Sequence, residues 1–179
     1  MKLFVALDVN ENFRTALTWM QGELIKNLPA DHDVKGAVPP ADFHLTLRYI
    51  GTCNDADSIM ERLSAIRFAP FPLKIASMGA FDENDTPVAW VGVDGALDAL
   101  HALKQQIDAA LDDYSCTEAA HEFVPHITLA YLNRAIGGCL PHIPAVHADM
   151  VVQEMGLYEI ISHHEPPKFR RIKFFPAEG

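Results

Sequence analysis

The chain has 179 residues, a length suited to one domain, and its 49% hydrophobic and 21% charged composition excludes wholesale disorder. A formal net charge of −10 excludes a positive sheath for duplex DNA or any long duplex nucleic acid. No apolar run approaches the roughly 18–20 residues that span a bilayer, so no membrane partner is expected.

Residues 3–9, LFVALDV, are rich in β-branched and aromatic side chains and predict a strand. The opening MKLFVALDVNEN lacks a long apolar core before a small-residue cleavage site, so a cytoplasmic protein is expected. Residues 10–28 place Phe13, Leu17, Met20, Leu24 and Leu28 at helical spacing. A loop through Pro29, Gly36 and Pro39-Pro40 then leads to HLTLRYIG at 44–51. Residues 54–66 predict a helix capped by Asn54 or Asp55. Residues 71–81 predict a strand, and 81–87, FDENDTP, a turn.

The order then recurs. VAWVGVD (88–94) reads as a strand and 95–114 as a helix, with Leu97, Leu100, Leu103, Ile107, Ala110 and Leu111 on one stripe. A loop ends at Pro125, and HITLAYL follows at 126–132, its histidine 82 residues after that of HLTL (44 to 126). Residues 132–144 read as a loop, and 146–160 and 169–175 as further strands. Strand, helix, loop and His-strand in register imply an internal duplication, with half-repeats at approximately 1–80 and 85–179. We expect a single α+β domain over 1–179, bilobal with pseudo-two-fold symmetry. Two mostly antiparallel sheets should line a central cleft with helices outside.

Side chains alternate along a strand, so His44 shares a face with Thr46 and His126 with Thr128, while the intervening leucines and isoleucine face the core. Across a pseudo-two-fold axis two imidazoles and two hydroxyls converge. That set suits a phosphodiester. One neutral imidazole accepts a proton, one imidazolium donates a proton, and two hydroxyls hold the non-bridging oxygens. The repeat alone permits either histidine in either role. A metal site on His44, His126 and a third histidine would lack carboxylate or thiolate ligands at suitable spacing, so neither metal nor cofactor is expected. Cys53, Cys116 and Cys139 form no CxxC pair and read as free thiols. Lys168, Arg170, Arg171 and Lys173 form the one basic cluster, which suits either an anion-holding cleft or a charge-protected edge strand. Phe43 and Phe123 are off the histidine face by parity and read as core, and His101, His163 and His164 as surface or boundary residues.

With these motifs the chain resembles the 2H phosphoesterase superfamily, and within it the bacterial RNA 2′,3′-cyclic phosphodiesterases, also described as 2′-5′ RNA ligases. LFVALDV, VPPADFHLTLRYIG, AWVGVDG, FVPHITLAYL and LYEIISHHEPPKFRRIKFFP carry the resemblance. It implies metal-independent opening of a cyclic phosphate at an RNA 3′ end to a 2′-phosphate, with weak reverse 2′-5′ ligation. His44 would be the acid and His126 the base, with Thr46 and Thr128 on the phosphate. Many members carry Arg where this chain has Tyr131. Arg48, on the His44 face by parity, is then the expected compensating phosphate ligand, with Arg134 a second candidate. Many members also carry an aromatic where this chain has Gly36-Ala37. The partners implied are RNA 3′ ends or small cyclic nucleotides, met by a monomer. The alternatives are another 2H activity, on 2′-5′ oligonucleotides or an ADP-ribose cyclic phosphate, and a non-catalytic RNA-end-binding module.

Overall fold

Asn10 starts the first helix because its side chain accepts the Phe13 N–H at 2.9 Å, satisfying a donor that the first turn leaves unpaired. The computed structural model describes all residues except 84, 115–121, 145 and 163–167, so Cys116, His121, His163 and His164 lie outside the described residues. In chain order the elements are β1 (Lys2–Asp8), α1 (Glu11–Lys26), β2 (Val34–Ala37), β3 (His44–Thr52), α2 (Ala56–Ser64), β4 (Phe71–Phe81), β5 (Val88–Gly95), α3 (Leu97–Ala110), β6 (His126–Leu132), β7 (Asp149–Val152), β8 (Glu154–Ser162) and β9 (Lys168–Pro176). Asp55 caps α2 through the Ser58 N–H at 3.1 Å.

The architecture is α+β and the strand pairs are antiparallel, but the expected two sheets are one. The order is β7-β4-β5-β6-β3-β1-β8-β9, with β2 added on β6. The two halves meet at β3 and β6 through the single pair Leu45↔Ile127. The run 146–160, expected as one strand, is two. β7 pairs with β4 at one end of the order and β8 pairs with β1 near the other, with only Gln153 between them. A one-residue link between strands so far apart in the order requires the sheet to curl until its ends approach. β2 falls in a stretch expected to be loop. It has four residues, and β6 supplies its hydrogen-bonding partner.

One face of the curl carries the main core: Leu3, Val5 and Leu7 of β1 against Phe13, Leu17 and Leu24 of α1 and Leu100, Leu103 and Ile107 of α3, all fully buried. Phe43 joins this core, and the half-buried Phe123 packs against it beside His101. The other face carries a small cluster of Phe4, Ala6 and Tyr158, with Tyr49, Ile160 and Phe169 packed on it. β1 is therefore apolar on both faces, and β9 forms the sheet edge. Three of its basic residues are engaged: Arg170 with Glu159, Arg171 with Asp8 at 2.7 Å, and Lys173 with the Ser64 hydroxyl at 3.2 Å.

Candidate active site

Both motif strands carry a bulge at the same place. Asp8 pairs with His44 and Ala6 with Thr46, and the register then shifts so that Val5 pairs with Arg48 and Phe4 with Tyr49. On the other half Gly92 pairs with His126 and Trp90 with Thr128. After the shift Ala89 pairs with Ala130 and Val88 with Tyr131. Leu47 and Leu129 are the extra residues, and an extra residue reverses the alternation beyond it. The face bearing His44 and Thr46 therefore continues with Tyr49, and the face bearing His126 and Thr128 continues with Tyr131.

Arg48 is consequently turned to the core side, which corrects its expected role on the phosphate. Its guanidinium bonds Asp108 at 2.8 Å and donates to the Leu111 and Tyr114 carbonyls at 2.8 and 2.9 Å, tying β3 to the C-terminal end of α3. Arg134 is exposed beyond the end of β6 and is not among the walls of the cleft cavity. That cavity, about 180 Å3, has His44, Thr46 and Thr128 as its polar wall. Tyr49 and Tyr131 also line it, and Phe4, Val38, Ile160 and Phe169 complete it. It is smaller than the roughly 300–1,000 Å3 of pockets that enclose drug-sized ligands, so it suits one terminal group. His126 is not in its wall but stands two residues before Thr128 on the same face.

The two imidazoles are held alike. His44 Nδ1 lies 2.8 Å from the Asp42 carbonyl and His126 Nδ1 lies 2.7 Å from the Val124 carbonyl, each two residues upstream. A carbonyl only accepts, so Nδ1 carries the proton in both and Nε2 is the atom available for proton transfer. Each ring meets a phenylalanine edge at 4.8 Å, His44 with Phe169 and His126 with Phe81. Burial lowers the pKa of both below the ordinary 6.5, opposed in each by the bond to the carbonyl. The halves differ in charge. Asp8, opposite His44, and more weakly Asp42 favour its imidazolium, whereas the residue opposite His126 is Gly92. Asp8 also accepts from the Tyr158 hydroxyl at 2.5 Å, and burial followed by that bond raises the tyrosine's pKa. Among the described residues no group of three or more His, Cys, Asp or Glu side chains is placed to hold a metal ion. Likewise no helix there is long and apolar enough to cross a membrane.

Residues 14–151 match the model of the 2′-5′ RNA ligase superfamily. The chain belongs to this superfamily. Its relatives include a protein of Aeropyrum pernix named RNA 2′,3′-cyclic phosphodiesterase, 35% identical over 70% of this chain and 72% of that one. A protein of Geobacillus stearothermophilus with the same name is 26% identical over 98% of this chain but 57% of its own length. Among solved structures, E. coli LigT complexed with 3′-AMP superposes with a TM-score of 0.81 at 20% identity, covering 99% of this chain and 98% of LigT. TT0787 of Thermus thermophilus gives 0.79 at 23%, covering 100% and 99%. At those identities the structures establish the fold.

Within this member of the 2′-5′ RNA ligase superfamily, sequence reasoning missed one residue that lines the cleft and one buried behind it. Tyr49 was hidden because strict alternation puts it on the core side; the matching HLTLRY and HITLAY, with Tyr five residues after each His, was the available signal. Gln21 is buried, and its Nε2 donates to the Val38 and Leu129 carbonyls, both at 2.8 Å. It thus holds the β6 bulge from behind, and no motif announces it.

Proposed function

We propose that this superfamily member hydrolyses RNA 2′,3′-cyclic phosphate ends to 2′-phosphates by metal-independent acid–base catalysis with two histidines. The observation that carries this is the matched pair of His-x-Thr strands, each imidazole donating Nδ1–H to a backbone carbonyl two residues upstream and thereby offering Nε2. Relatives named RNA 2′,3′-cyclic phosphodiesterase support the substrate class.

His126 accepts a proton from water as the water oxygen bonds to phosphorus. The bond from phosphorus to O3′ breaks, and His44 delivers its Nε2 proton to O3′. Thr46 and Thr128 donate hydrogen bonds to the non-bridging oxygens as charge develops there. Asp8 supports His44 as the proton donor, because a carboxylate beside it and none opposite His126 favours the cation at His44. With a 5′-hydroxyl in place of the water, the same steps join the cyclic phosphate end in a 2′-5′ linkage, the P–O3′ bond breaking as the P–O5′ bond forms, weakly in competition with water.

The second reading, an RNA-end-binding module, is favoured only by Tyr131, which stands where many members carry Arg. Hydrolysis of a nucleoside 2′,3′-cyclic phosphate in EDTA decides between them. Wild type is expected to give the 2′-phosphate, and His44→Ala and His126→Ala each to lose about 10²–10⁴-fold in kcat. Loss of activity in EDTA would return the metal alternative. Binding without turnover would favour the module.

A further inference from the structure

His44 stands at the end of its ladder. Asp8↔His44 is the last rung between β1 and β3, and on its other side β1 has already left β8, the last pair there being Ala6↔Gly156. A terminal rung held from one side is where a strand pair frays. His126 is placed otherwise. Its partner strand β5 runs on past Gly92 through Val93, Asp94 and Gly95, and β4 pairs with each of them. At the His44 end a side chain closes the gap. Arg14, in the first turn of α1, donates from Nη2 to the Val9 carbonyl at 3.0 Å and from Nη1 to the Pro40 carbonyl. One guanidinium thus bridges the residue after Asp8 and the turn before His44. That turn, Pro40–Asp42, is a single 3-10 turn closed by the Asp42 N–H on the Pro39 carbonyl at 2.8 Å, while the next bond, Phe43 N–H to Pro40, is long at 3.4 Å. Its last carbonyl, that of Asp42, is the one that accepts from His44 Nδ1. Arg14 itself is not in the wall of the cleft cavity.

We infer that Arg14 is a positioning residue for His44: by bridging Val9 and Pro40 it serves as a side-chain rung past the end of the ladder and fixes the Asp42 carbonyl that leaves Nε2 to the cleft. A guanidinium suits this because its planar fork reaches two acceptors in one fixed geometry. Its third nitrogen, Nε, pairs with the exposed Glu11 at 2.9 Å, which leaves both terminal nitrogens to the two carbonyls. The tautomer of an imidazole is set by the bond its other nitrogen makes, so loosening Asp42 releases the neutral ring from Nδ1–H. The other half secures its strand entry differently. Phe123, one residue before the Val124 carbonyl that holds His126, lies 5.9 Å from the His101 ring and 5.5 Å from the Lys104 ammonium of α3. The two histidines thus depend on different residues, and the support of His44 can be removed alone.

The test is the imidazole nitrogen spectrum of the whole nitrogen-15-labelled chain at about pH 8, where both rings are neutral. Wild type is expected to show Nδ1–H at His44 and at His126. Arg14→Met and Arg14→Gln keep a good helix former in α1 but cannot bridge two carbonyls, and Arg14→Gln carries the comparison if Arg14→Met does not fold. In each, His44 should become a mixture of Nδ1–H and Nε2–H while His126 stays as in wild type. Hydrolysis of a nucleoside 2′,3′-cyclic phosphate should fall about 10²-fold in kcat with KM nearly unchanged, because Thr46 and Thr128 remain. A mixed His44 tautomer in wild type overturns the inference, as does an unchanged His44 signal in either folded variant. An equal change at both histidines also overturns it, since that is general loosening rather than support of His44. The kinetic arm rests on His44 being the proton donor proposed above, and the spectrum does not. A tautomer change without loss of kcat keeps Arg14 as the support of His44 and removes His44 from the reaction.

Discussion

At the scale of the residue, two similar histidines are made unequal by nearby carboxylates, Asp8 foremost. Burial lowers both pKa values below 6.5, so at neutral pH both imidazoles are mainly neutral and the proton donor is scarce. The donor form is lost as pH rises and the base is lost as pH falls. A bell-shaped kcat/KM with its maximum below about pH 6.5 is therefore expected. Asp8→Asn removes a charge that favours the His44 cation, so the alkaline limb should move to lower pH; an unmoved limb would deny Asp8 that role. Arg48 makes the opposite case. Its side chain is 15% exposed and is engaged by Asp108 and two carbonyls at the end of α3. Arg48→Ala should cost about 2 kcal/mol of stability, seen in denaturant midpoints, with turnover of the remaining folded enzyme largely kept. A KM raised at unchanged stability would restore Arg48 to the phosphate.

At the scale of the element, the bulge after each motif threonine decides which side chains the cleft receives. Alternation from the histidine correctly pairs His44 with Thr46 and His126 with Thr128, since the shift comes only afterwards. Beyond Leu47 and Leu129 alternation gives the wrong face, which is why Arg48 was expected in the cleft and Tyr49 was not. Gln21 supports one of these bulges through two buried carbonyls. Gln21→Leu leaves those oxygens without a side-chain donor, while the Leu129 carbonyl keeps the Val38 N–H at 2.9 Å. About 1–2 kcal/mol of stability should be lost, together with activity, as Tyr131 loses its fixed place. Retention of full activity with lower stability would mean that the bulge holds without it.

At the scale of the whole molecule, an acidic chain faces an anionic substrate. With a net charge of −10 and a cavity of about 180 Å3, contact should be confined to the terminal nucleotides. One or two phosphates engaged on a single strand give a slope of log affinity against log salt no steeper than about −1.5. A steep slope in titrations of oligonucleotides ending in a 2′-phosphate would point to an extended RNA path that the charge argues against. The curled sheet makes the small site possible. Strands distant in sequence, β1, β3, β6, β8 and β9, bring their side chains to one concave face.

The sequence by itself determined the helices and the cap of α2, most of the strands, the α+β class and the sharing of one strand face by each motif histidine and its threonine. All of these rest on local periodicity and on side chains two to four residues apart. It did not reveal that β7 and β8 separate at Gln153, that 34–37 becomes a strand, or that the two expected sheets are one. Pairing partners far along the chain make those choices, and the local pattern of 146–160 is equally compatible with one strand. The walls of the cleft belong to the same category. Whether Arg48 or Tyr49 lines the cleft turns on one extra residue in a ladder, and a ladder exists only once its partner strand is in place.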